Sequence, residues 1–238
     1  MEISTGTEEV TMINPMDLTG KRILVYGADS GIDNAIIAQI RELGAEVMVY
    51  SQKDVNLVES ELGKVVKEYG PFDGFVFTLM HSDFRPLQFV KPELVSEILK
   101  DNYCLFVEAM RFLRKSKALK DGASVVALSS ISSIRAMKAK MAFCSAKAAL
   151  DAAVRCLAVE LAEKGIRVNS IQKGVVDSDF EKGHIQNVAS INDGAAEKNT
   201  PLGPSTAIEV ANVVSFLLSD ATKTITGTSI VMDGGYTA

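Results

Sequence analysis

Short apolar runs alternate with helix-length segments along this chain, and that alternation restricts the fold more than any single residue does. Arg22–Tyr26, Val47–Tyr50, Phe72–Leu79, Ala123–Leu128, Ile166–Ile171 and Ser229–Met232 read as buried strands. Between them, Asn34–Leu43 has helical apolar spacing (Ala35, Ile36, Ile37, Ile40, Leu43) and stops at Gly44. Leu57–Tyr69 reads as a second helix, Pro92–Leu113 as a long helical region, and Ala142–Lys164 as a helix ended by Gly165. Strands joined through helices pair in parallel, because a parallel pair needs a long crossover. The expected class is therefore α/β, a doubly wound parallel sheet covered on both faces. With 238 residues, 47% of them apolar, the chain can bury one large core. The expected organisation is a polar leader, 1–18, and a single domain, 19–238. Residues 178–204, polar and rich in Asn, Gly and Pro, are the expected mobile segment and substrate-pocket lining.

Charge and residue counts exclude several function classes. A formal charge of −5 argues against a phosphate-backbone partner, so no nucleic-acid partner is expected. No run of apolar residues is long enough to span a bilayer, and Met1–Val10 is polar and acidic, unlike a secretory signal. Three cysteines, Cys104, Cys144 and Cys156, have no paired spacing and suit a reducing cytoplasm. Cys144 and Cys156 lie about 18 Å apart along one helix, too far to bridge. With His81 and His184 as the only histidines and no clustered ligand spacing, no metal site is expected.

The unit Gly27-Ala28-Asp29-Ser30-Gly31-Ile32-Asp33 follows the first strand and opens the first helix. A strand, a glycine turn and a helix N-terminus place backbone N–H groups beneath a pyrophosphate. Asp33 works against that use, since its side chain and charge stand near where phosphate charge would lie. It also suits the first turn of a helix, where unpaired N–H groups stabilise a carboxylate. Either Asp33 partly fills the anion site in place of a ligand, or it is a helix-start residue on a solvated face.

Further along, Ser130 ends an apolar stretch and Phe143-Cys144-Ser145-Ala146-Lys147 opens a helix, with Ser130 thirteen residues ahead of Phe143. Together with Asn14–Lys21, Arg167-Val168-Asn169-Ser170-Ile171, Leu217-Leu218-Ser219-Asp220, Thr226-Gly227-Thr228 and Asp233-Gly234-Gly235, in this order, the chain resembles the short-chain dehydrogenase/reductase family over nearly its whole length. The resemblance implies a Rossmann-like domain and a catalytic set of Asn102, Ser130, a tyrosine and Lys147. The tyrosine position is occupied by Phe143, which has no proton to give. General acid–base transfer is worth about 10²–10⁴ in rate. The cofactor-binding set implied is Gly27, Ser30, Gly31, Ile32, Ser51, Gln52, Asp54, Val55, Lys147 and Gly174.

Five departures from the family accompany the missing tyrosine. Asp33 replaces the third glycine. Tyr50-Ser51-Gln52-Lys53 lacks the acid that would bind ribose hydroxyls, which leans the cofactor toward NADP rather than NAD, with loss of binding as the alternative. Asp54-Val55 follows so soon after Gln52 that one helix and one strand have no room near 51–56, and a six-stranded sheet with an open edge is expected. Finally, Leu79 and Met80 stand where the family has small residues against the cofactor, and Lys173-Gly174 stands for Pro-Gly, Lys173 being either a phosphate contact or, as expected, a solvated turn residue. The reading is a nicotinamide-dependent oxidoreductase lineage with impaired catalysis, acting as a binding, regulatory or scaffold member. The alternative is an active NAD(P)H-dependent carbonyl reductase or alcohol dehydrogenase with a substitute proton donor. The expected partner is a second copy, as dimer or tetramer, or an active relative. The apolar stripe Ala149, Ala152, Ala153, Cys156 and Leu157 is either that contact or inward core.

Overall fold

A computed structural model describes residues 14–27, 30–177 and 200–238. Six strands form one parallel sheet: β1 (Arg22–Tyr26), β2 (Glu46–Tyr50), β3 (Phe72–Phe77), β4 (Leu119–Ser130), β5 (Arg167–Lys173) and a last strand, β8 (Ser229–Met232), in the order β2-β1-β3-β4-β5-β8. The short strands β6 (Val176–Asp177) and β7 (Ser205–Thr206) pair separately. The expected six-stranded sheet is present, and β2 is its outer strand.

Side chains alternate across a strand, so each strand feeds two cores. Leu24, Tyr26, Phe75, Phe77, Val125 and Ala127 face α2 (Val58–Tyr69), α4 (Leu105–Lys115) and α5 (Met141–Glu160). Ile23, Val25, Val76, Val126 and Leu128 face α1 (Gly31–Glu42) and α6 (Ala207–Leu218). The region expected as one long helix is α3 (Pro92–Leu99), a π turn over Lys100–Cys104, and α4. Helix α5 ends at Glu160, and a 3₁₀ turn carries the chain to Gly165, whose φ of +66° is accessible to glycine without a Cβ penalty.

In the stripe of α5, Ala153 and Leu157 pack against the core, Ala149 and Ala152 are half-buried, and Cys156 is exposed. All three cysteines are free. Among the described residues, no helix is long and apolar enough to cross a membrane. The segment expected to be mobile lies mostly outside the described residues, as does most of the leader.

Candidate active site

The chain order reverses between β1 and β3, and in such sheets ligands bind beyond the carboxyl ends of the strands at that point. There Gly27 leaves β1, Thr78–Met80 leave β3, Ser130 ends β4, and Lys173-Gly174 ends β5. Glycine at 27 is required: a Cβ would sit 1.7 Å from Thr78 Oγ1, which in turn donates to the Tyr26 carbonyl. Gly174 is likewise fixed by packing, with a Cβ there only 2.8 Å from Asp233 Cα.

A cavity of about 140 Å³ opens at this edge, lined by Ser30, Ile32, Asp33, Lys53, Thr78, Leu79, Met80, Leu128 and Lys173. Pockets for drug-sized ligands run to roughly 300–1,000 Å³. Two cations and a helix N-terminus suit an anion, and Asp33 and Met80 stand on the wall of the same space. Asp33 is buried, at 4% exposure, which corrects the solvated-face alternative. Its carboxylate accepts the Ser30 N–H and hydroxyl, each at 2.9 Å, and Ser30 Oγ accepts the Asp33 N–H in return, a capping box that satisfies two of the N–H groups at the start of α1. Lys173 is also corrected: it is 5% exposed on the cavity wall, where β5 is still paired with β4 and β8, and is no solvated turn residue.

Of the other expected cofactor contacts, Gly31 starts α1 with open space around it. Ser51, Gln52, Asp54 and Val55 do not line the cavity. Gln52 offers its carbonyl to the Tyr26 hydroxyl and its side chain to the Asp54 N–H, while Asp54 Oδ1 caps the 3₁₀ turn Val55–Leu57 through the Asn56 N–H at 3.0 Å. That turn is what replaces a crossover.

The catalytic-type residues lie on neighbouring elements, with α5 packed against the π turn and against the 3₁₀ turn that follows β4. Phe143 is 3% exposed in an apolar cluster with Ile98, Ala142 and Ala146, against which Met80 packs. Lys147, one turn on, is 1% exposed and donates from Nζ to the Leu128 carbonyl at 2.9 Å. Burial, aided by the charge of Lys173 and opposed by Asp151, pushes its pKa down to about 7. Ser130 Oγ accepts the Ser132 N–H and donates to Ser132 Oγ, both at 3.2 Å, so it caps a 3₁₀ turn. Asn102 is fully buried inside the π turn; its amide donates to the His81 and Ile98 carbonyls at 2.7 and 2.9 Å.

One buried group escaped the sequence reading. Asp151 accepts Ser170 Oγ–H and Gln172 Nε2–H, both at 2.8 Å, and Gln172 also donates to Ser133. Asp151 lies four residues after Lys147, on the same face of α5. That spacing was the available signal.

The family model described as enoyl-(acyl carrier protein) reductase matches residues 19–237. The chain is 29% identical over 221 residues to a 1-cyclohexenylcarbonyl-CoA reductase of Streptomyces collinus, covering 91% of this chain and 78% of that one. It is 27% identical over 251 residues to an L-xylulose reductase of Caenorhabditis elegans, covering 92% and 97%. Among solved structures, a putative short-chain alcohol dehydrogenase of Sinorhizobium meliloti superposes with a TM-score of 0.85 at 25% identity, covering 94% of this chain and 98% of that one. An enoyl reductase (FabI) complex with NADH from Alistipes finegoldii shares the fold, with a TM-score of 0.82 at 24% identity, covering 92% and 89%.

Proposed function

The chain belongs to the short-chain dehydrogenase/reductase family, an oxidoreductase lineage, and on that premise we propose that it is a member whose tyrosine route of proton transfer is closed and which serves as a binding or regulatory partner. The observation that carries this reading is Phe143, buried in an apolar cluster at the proton donor's position. Its neighbours support it. Ser130 is engaged in capping and Lys147 is tied to a backbone carbonyl. Asp33 holds the helix N-terminus that a pyrophosphate would use. Weakened nucleotide binding follows, with NADP the better candidate because Lys53 and Lys173 present cations to the cavity. The partner in this reading is a second copy or an active relative.

When bound, a nicotinamide would supply hydride. This chain's part would be to orient it and move a proton, and the second task is the one impaired. A second reading has one specific observation behind it. Lys147, with a pKa near 7, can carry and release a proton at neutral pH, one turn from Phe143. In that reading the protein is a slow NAD(P)H-dependent reductase with lysine as acid.

The test is fluorescence titration with NADPH and NADH, followed by turnover on acyl-CoA thioesters, acyl-carrier-protein thioesters and ketoses, the substrate types in the relatives' names. No saturable binding at millimolar cofactor supports the binding-partner reading. Turnover with kcat/KM in the ordinary range of about 10⁴–10⁸ M⁻¹s⁻¹ refutes it. Slow turnover whose rate inflects near pH 7, abolished in Lys147→Met, supports the lysine route.

A further inference from the structure

Three donors that lie apart in the sequence meet outside the cavity. His81 leaves the loop after β3, Glu97 lies on α3, and Asp101 lies in the π turn that follows it. One ligand atom from each falls within 4.8 Å of the other two, and His81 Nδ1 stands 2.9 Å from Asp101 Oδ2. Around a tetrahedral zinc ion, with bonds of about 2.0–2.2 Å, ligand atoms sit roughly 3.3–3.6 Å apart. The present spacing, within 4.8 Å, is somewhat wider than that geometry, so an ion would draw the three donors together.

The backbone beneath the donors is fixed. Asn102 accepts the His81 N–H at 3.3 Å and donates to the His81 carbonyl at 2.7 Å, which locks the loop to the π turn. Asp101 Oδ1 is buried and accepts no hydrogen bond; the Lys100 ammonium stands 3.2 Å away in ion-pair contact. A π turn inserts one residue into a helix, and such insertions recur at functional sites. Here Glu97 and Asp101 remain neighbours on the face that meets the loop.

We propose that His81, Glu97 and Asp101 form a binding site for a divalent transition-metal ion, zinc-like in preference, clasping the loop after β3 to the α3 and π-turn segment. One imidazole nitrogen with two carboxylate oxygens selects zinc or cobalt over magnesium or calcium, which take oxygen ligands. Binding replaces the His81 Nδ1–Asp101 Oδ2 contact and moves the Lys100 ammonium aside. The inference stands independently of whether the protein turns over a substrate.

Chelator-cleared full-length protein is titrated with Zn²⁺ by calorimetry and with Co²⁺ by visible absorption. One ion per chain is expected. Because Glu97 is exposed, Glu97→Gln leaves the fold intact, and it and His81→Ala should each raise the Kd at least tenfold, by comparison with the roughly 10–100-fold effect of outer-shell changes alone. Substituting the chain's other histidine, His184→Ala, should change nothing. A thermal upshift with Zn²⁺ that disappears in Glu97→Gln supports the clasp. Absence of saturable binding, binding unchanged in Glu97→Gln and His81→Ala, or binding lost in His184→Ala would each overturn the proposal.

Discussion

Replacing Lys147 by methionine should change how stability depends on pH, and the size of the change follows from where the amine sits. Lys147 is 1% exposed, and its pKa falls from 10.5 to about 7 in the fold. Between those values the unfolded chain holds a proton that the folded chain has given up. Stability rises with pH wherever the unfolded state binds more protons, so wild type gains stability from about pH 7 to pH 10.5. Each pH unit well inside that window is worth about 1.4 kcal/mol. From pH 7.5 to 9.5 the gain attributable to this group is about 2–3 kcal/mol. Below pH 7 both states are protonated and the slope vanishes. In Lys147→Met the gain is absent, while the lost hydrogen bond to Leu128 adds a cost that does not vary with pH. Tyr26 and Tyr50, whose pKa values are raised mainly by burial, hold their protons in the fold and act only above about pH 10, equally in both proteins. Urea unfolding of the two proteins at half-unit pH steps yields the difference curve. A difference that stays flat within 0.5 kcal/mol over the window, roughly the error of such comparisons, would show that Lys147 keeps its charge when folded. The lysine-acid reading would fall with it.

Asp33→Gly removes the capping box of α1 and should cost about 1–2 kcal/mol, from the cap and from glycine in a helix, while raising affinity for pyrophosphate measured by calorimetry. Affinity that is unchanged or lower would refute the idea that Asp33 holds the anion site. Met80→Gly should improve NADPH affinity in the fluorescence titration by freeing the cavity, whereas Phe143→Tyr alone should leave it unchanged. Reductase turnover should appear only with both changes, since one opens the space and the other supplies the acid; equal turnover from Phe143→Tyr alone would show that Met80 obstructs nothing.

Much of the fold was legible because a buried parallel sheet leaves a loud pattern. Continuous apolar runs marked all six strands of the main sheet, and the short path from Gln52 to Val55 correctly limited it to six. Helix α6 was missed, although its capping box is written in Thr206-Ala207-Ile208-Glu209. Its apolar content is high on several faces, so helical periodicity is faint. The π turn left no sequence signal at all. Within it Asn102 donates to the His81 carbonyl, a contact across twenty-one residues that local spacing does not reveal.

The site was less legible for a related reason. Motif spacing locates residues along one element, whereas charge and burial are set where elements meet. Phe143, Lys147, Ser130 and Asn102 could be placed because helix α5, the end of β4 and the turn after α3 carry them at fixed offsets. Lys173 was misjudged as solvated because its burial comes from β4 and β8 on either side. That error matters chemically. A buried Lys173 adds to the forces that keep Lys147 from being charged, while Asp151 opposes them. In a protein with a tyrosine at 143, a charged lysine would be needed to lower the tyrosine pKa; with phenylalanine there, that demand is gone. The partly discharged lysine and the missing hydroxyl are therefore compatible in one site, and restoring the tyrosine alone would place it beside a lysine no longer fully charged at neutral pH.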